Sequence, residues 1–185
     1  MRILALADEA PPKDPAELVR LNAPDAVVTL GDLEPPWIAS LAGLELPRIG
    51  VHGNHDGERE LEAAGVRDVH LERAEVDGWS FVGFEGCVRY GEGPHQYSQE
   101  DAARMVEELP AADVLVCHCP PWGVNDEPDD PAHEGFRALR EWVERHEPRY
   151  LLHGHTTPDP RSRTWRLGRT EVLWVRGAAV LEFAG

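Results

Sequence analysis

The feature that most constrains this chain is a recurrence: short apolar runs, each ended by a residue able to bind a metal or move a proton. Residues 3–7 run into Asp8, residues 26–30 into Gly31-Asp32, and residues 48–51 into His52 and then Gly53-Asn54-His55-Asp56. Residues 113–117 run into His118, and residues 149–153 into Gly154-His155. Compact apolar runs of this kind read as buried strands. In an open α/β sheet, ligands bind beyond the carboxyl ends of the strands. The pattern therefore gathers carboxylates, an amide oxygen and imidazoles at one rim, beside glycines that permit tight turns. Oxygen and nitrogen donors without thiolate suit a hard-to-borderline divalent cation.

The stretches between these runs carry helical patterns at residues 15–21, 36–44 and 58–64. Residues 98–109 form a helix capped by Ser98, with Asp101 three positions on in a capping-box-like start. Residues 134–146 form another, with Phe136, Leu139, Trp142 and Val143 on one face. Strands at 71–76 and 79–83 are joined by Asp77-Gly78, a strong hairpin signal. Residues 164–183 read as two or three antiparallel strands closing the chain. Alternating strands and helices followed by antiparallel strands indicate an α/β fold with mixed β-sheets in a sandwich. No repeat or linker divides the 185 residues, so one domain over residues 1–185 is expected. The Pro- and Asp-rich residues 120–133 form a long functional-type loop.

Composition excludes several classes. Apolar residues make up 42% of the chain, too many for a disordered protein, and no apolar run is long enough to cross a membrane. The 34 acidic residues outnumber the 18 basic ones for a net charge of −16, which disfavours an extended nucleic-acid groove. The first residues meet acid at Asp8, too soon for a secretory leader, and the three cysteines read as free thiols. A cytoplasmic protein without membrane partners is expected. Cys117, His118 and Cys119 are consecutive, so on a strand they cannot all face one ion.

The ordered set of motifs resembles the calcineurin-like metallophosphoesterase superfamily, from Asp8 through Gly154-His155. The most specific parts are Gly53-Asn54-His55-Asp56 downstream of Gly31-Asp32, and His118-Cys119-Pro120-Pro121 before a later Gly-His. The runs at residues 93–97 and 132–136 resemble a small bacterial branch with Asp-Glu in its first motif. The resemblance implies a four-layer α/β/β/α metallophosphoesterase fold and a metal-dependent phosphoesterase. It further implies that Asp32 bridges two metals, that Asn54, His118 and His155 complete one site, and that Asp8 belongs to the other. His55 would protonate the leaving oxygen or stabilise phosphoryl charge, with Asp56 orienting it, while a metal-bound hydroxide attacks phosphorus in line.

Two departures set this chain apart. Ala10 stands where the first motif has a histidine, and Thr157 stands where the last motif has its second histidine. Both absent imidazoles belong to the same metal site in the family. One tightly held divalent metal (Mn, Fe or Zn) is expected, the second being weak or absent. Glu9, Glu34 and His153 are the replacement ligands open to the second site, with water or the Thr157 hydroxyl as weaker options.

Arg89, His95 and His133 fall in loops near the strand ends and are candidates for substrate binding; solvated loop residues are the plainer alternative. His52, His70 and His146 read as structural or exposed. The expected substrate is a small phosphomonoester or phosphodiester. The other reading of the same departures is a degenerate relative whose fold serves as a binding or scaffold module with weak or no catalysis.

Overall fold

A computed structural model describes residues 1–184 of the chain. The first sheet takes β1 (Arg2–Ala7), β2 (Ala26–Thr29), β3 (Arg48–Gly50) and β4 (Arg67–Asp68), all parallel. Helical segments α1 (Pro15–Asn22), α2 (Pro35–Ile38) and α3 (Glu60–Ala63) fall between them, with a 3₁₀ turn at Ala39–Gly43. The second sheet begins with β5 (Arg73–Val76) and β6 (Trp79–Phe84), antiparallel across Asp77-Gly78. Both turn residues have positive φ, 48° and 80°, as a two-residue type I′ hairpin requires.

A small parallel pair, β7 (Cys87–Val88) and β8 (Gln96–Tyr97), precedes α4 (Gln99–Glu107). Then come β9 (Val114–Cys117), α5 (Arg137–His146), β10 (Tyr150–His153), β11 (Arg166–Leu167), β12 (Thr170–Trp174) and β13 (Gly177–Glu182). The strand orders are β13-β1-β2-β3-β4 and β11-β12-β10-β9-β6-β5.

Alternation of side chains across these strands makes three cores, and the three cores make four layers. Ile3, Ala5, Val28, Phe81, Val116 and Leu152 meet between the two sheets. From the other face of the first sheet, Leu4, Leu6 and Val27 pack on Leu18, Ile38 and Leu61 of the helices. From the other face of the second, Val82, Leu115 and Leu151 pack on Ala102, Leu139 and Trp142 of α4 and α5. Strands buried on both faces are why the sequence shows continuous apolar runs rather than alternation. The order helix, sheet, sheet, helix is the four-layer sandwich that the family resemblance implied.

Two local expectations need correction. Helix α5 starts at Arg137 rather than residue 134, because Phe136 is extended (φ −78°, ψ 121°) and bridges to Pro121 in the preceding loop. The closing strands do not form one antiparallel set. β11 and β12 do pair antiparallel, but β12 runs parallel to β10, whereas β13 crosses to the other sheet and pairs antiparallel with β1. The crossing occurs at Val175–Gly177, where Val175 N donates to His153 O (2.9 Å) and Gly177 takes φ +68°. The Ser98 cap stands as expected, accepting from Asp101 N at 3.0 Å. Among the described residues no helix is long and apolar enough to cross a membrane.

Candidate metal centre

The carboxyl ends of β1, β2, β3, β9 and β10 share one rim, and three of the residues placed there have a strained backbone. Asp8, Asp32 and His155 have positive φ of 59°, 53° and 64°. A non-glycine residue in this region costs of order 1–3 kcal/mol and persists where its surroundings fix it, typically at functional sites. Here the surroundings are backbone. Asp8 accepts from His155 N with both carboxylate oxygens at 3.0 Å, and Asp32 Oδ1 accepts from His55 N at 2.8 Å. Glycine is required opposite each carboxylate: a Cβ on Gly53 would lie 2.1 Å from Asp32 Oδ1, and one on Gly154 would lie 2.5 Å from Asp8 Oδ2.

Three donors gather around a fourth, and the ligand atoms of Asp32, His118 and His155 all lie within 4.8 Å of one another. His118 Nε2 lies 3.0 Å from Asn54 Oδ1, 3.1 Å from His155 Nδ1 and 3.4 Å from Asp32 Oδ2. Neighbouring donors about 2.1 Å from an ion lie roughly 3.0 Å apart in octahedral and roughly 3.4 Å apart in tetrahedral geometry, so this set fits a single divalent cation, and the octahedral case leaves positions for water or substrate. The outer bonds aim each donor. His118 Nδ1–H donates to Leu30 O (2.7 Å) and His155 Nε2–H to Ala132 O (2.7 Å), leaving the other ring nitrogen of each for the centre. Asn54 Nδ2 donates to the Tyr90 hydroxyl (3.1 Å), which turns its carbonyl oxygen inward.

Charge at the centre is divided unevenly. Burial pushes Asp8 up to about 6, with Asp32 adding to the rise. Burial acts the same way on Asp32, yet His118 and the His55 N–H overcome it and hold that carboxyl at about 2. Burial opposes charge on His118, but Asp32 and then Asp8 lift it to about 9. Burial, aided by His118, drops His155 to about 3. A neutral His155 and an anionic Asp32 are ready to ligate; the proton on His118 is what a cation displaces.

The remaining sequence-predicted residues divide by partner. Among the described residues no hydrogen bond joins Asp56 to the His55 ring. The Asp56 carboxylate accepts from Gly53 N (2.7 Å), Asp32 N (3.0 Å) and Leu33 N (3.1 Å), clamping the Asp32 and Asn54 loops together. His55 is exposed and lines a cavity of about 280 Å³ with Asp8, Asp32, Glu34 and Trp37. Of the three replacement ligands considered, Glu34 borders that cavity. Glu9 is instead paired with Arg176 (2.7 Å). His153 is wholly buried, with Nε2 accepting from Asn125 Nδ2 (2.9 Å) and Nδ1 on Gly154 O (3.1 Å), so both ring nitrogens are occupied.

Arg89 Nε and Nη2 donate to Gln96 O (3.2 and 3.1 Å), and the exposed guanidinium lies 3.7 Å from Asp101. His133 is tied to Asp130 (2.8 Å) and its ring lies 5.3 Å from that of His155, at the rim of the centre. His95 turns away to a second polar cluster, where Glu85 accepts from His95 Nδ1 (3.1 Å), His52 Nδ1 (3.3 Å) and Tyr97. The His52 and His95 rings stack at 4.8 Å with 2° between planes, so their in-plane lone pairs run parallel and do not meet at one ion. Sequence reasoning missed Tyr90, which orients Asn54, and Arg176.

Comparison with known proteins agrees with this architecture. The chain matches the family described as calcineurin-like phosphoesterase over residues 1–159. A solved structure from Thermus thermophilus superposes with a TM-score of 0.62 at 18% identity, over 94% of this chain and 88% of that one. A hypothetical protein from the same organism gives 0.53 at 20% identity, over 94% and 75%. At these identities the likeness is one of fold. No curated protein gives a significant match. The matched stretch begins before Asp8 and ends beyond Thr157, taking in every donor of the centre, and this chain belongs to the calcineurin-like phosphoesterase family.

Proposed function

We propose that the chain hydrolyses a small phosphomonoester or phosphodiester using one tightly held divalent cation at Asp32, Asn54, His118 and His155. The observation that carries this reading is the convergence of those four donors, each aimed by a bond on its far side. When bound, such a cation supplies Lewis-acid stabilisation of phosphoryl charge and an acidified water. Manganese, iron and zinc all suit the donor set.

The chain's own groups supply the rest. The Asp32 and Asn54 loops are locked together by Asp56, which fixes the two oxygen donors relative to each other. His55 stands exposed on the same cavity wall as Asp8 and Asp32, where its ring can hand a proton to the departing alkoxide. Asp8, half-buried and held by the His155 N–H, lines that wall with a carboxyl whose desolvation keeps it easy to protonate. A cavity of about 280 Å³ and a net charge of −16 favour a compact ester over a polyanion.

The test is a panel of phosphomonoesters and diesters, from p-nitrophenyl esters to nucleotides, with chelator-stripped protein resupplied with Mn²⁺, Zn²⁺ or Fe²⁺. Metal-dependent turnover supports the reading. Bound metal with no turnover on any ester would favour a binding module instead.

A further inference from the structure

Arg176 occupies a place that neither the four-donor centre nor the family pattern explains. It sits at the crossing from β12 to β13, where the chain passes from one sheet to the other at the rim that carries the strand-end residues. Its Nη2 pairs with Glu9 Oε1 at 2.7 Å, and its Nη1 donates to Thr157 Oγ1. Glu9 directly follows Asp8, and Thr157 lies two residues beyond His155. The guanidinium thus bridges the two motifs that lack imidazoles, and its charge acts on Asp8 across the gap.

We propose that the Arg176 guanidinium stands in for a second cation, giving a centre of one metal and one arginine in which Arg176 takes non-bridging oxygens of the substrate phosphate. This rests on the phosphoesterase reading and deepens it. The chemistry supports the exchange on three counts. Arginine stays charged at every working pH and presents five N–H donors in a planar fork suited to phosphate. The bonds to Glu9 and Thr157 position the fork and leave donors free for a ligand. A second divalent ion beside Asp8 would meet repulsion from the guanidinium as well as from the first ion, with Glu9 already neutralised.

The arrangement also alters what restoring the absent ligands achieves. Ala10→His with Thr157→His adds two imidazoles but leaves the fixed positive charge in place. Two tight sites require removal of that charge as well.

Calorimetric titration reads both parts without turnover. In phosphate-free buffer, unmodified protein takes up one Mn²⁺ tightly; Arg176→Gln does the same, and Arg176→Gln with Ala10→His and Thr157→His takes up two. Inorganic phosphate then binds Mn²⁺-loaded Arg176→Gln about 10-fold or more weaker than the unmodified protein, the range expected for one charge-assisted contact. Arg176→Lys retains part of the affinity, which guards against a loss due to misfolding. Unchanged phosphate affinity in Arg176→Gln, or two tight Mn²⁺ on the unmodified chain, overturns the proposal. Because phosphate binding is read separately from turnover, a chain that hydrolyses no ester yet shows this dependence contradicts only the enzymatic reading.

Discussion

His118 and His155 present neighbouring ring nitrogens, 3.1 Å apart, while the opposite nitrogen of each is bonded to a backbone carbonyl at 2.7 Å. Leu30 and Ala132 thereby set both tautomers before any ion arrives. Two imidazole lone pairs held this close with no acidic hydrogen to share repel each other unless a proton or a cation lies between them. In the protein without metal the proton on His118 serves; in the loaded protein the cation does.

Metal affinity accordingly depends on pH. His118, held at about 9 by Asp32 and Asp8 against the effect of burial, must lose its proton for the ion to bind. Its pKa is raised, so the proton is present below about 9, and apparent affinity falls as pH drops, by about tenfold per unit between pH 8 and 7. Mn²⁺ titrations across this range check the slope. A flat profile would mean that His118 is not a ligand.

Replacing Asp32 with Asn removes the one carboxylate among the four donors and should weaken metal binding by about 100-fold or more, above the 10–100-fold typical of losing an outer partner. Elemental analysis after gel filtration measures it. Activity should disappear with the metal.

His55→Ala is the converse case. His55 holds Asp32 through its backbone N–H, which the substitution keeps, so metal affinity should stay nearly constant while turnover falls about 10²–10⁴-fold, the cost of losing a general acid. Activity that survives intact removes His55 from the mechanism.

Asp56→Ala separates a clamp from a catalytic partner. Three backbone N–H groups lose their acceptor, so the variant should be destabilised by about 3 kcal/mol, with a lower melting temperature and poorer metal retention. A role confined to orienting His55 would instead lower turnover and leave stability untouched.

What the sequence made legible follows from where its information lies. Asp8, Asp32, Asn54, His118 and His155 could be found because each follows a buried apolar run, and strand ends on parallel sheets converge by topology. The Asp77-Gly78 hairpin was legible because both turn residues need positive φ. The Asp56 clamp was not, since its partners are backbone N–H groups on two loops and no side-chain pattern marks them. The split of β12 and β13 between sheets was hidden because apolar patterning fixes which face is buried, not which sheet a strand joins. Arg176 went unseen for the same reason: only that crossing brings it to Glu9 and Thr157.

The central claim is that four side chains from four strand ends share one ion. Anomalous diffraction from Mn²⁺-soaked crystals tests it most directly. The account predicts one strong peak bounded by Asp32, Asn54, His118 and His155, with none of comparable height between Asp8 and Glu9. Two equal peaks at that rim, or a single peak at the Glu85 cluster with none at the four-donor point, would contradict it.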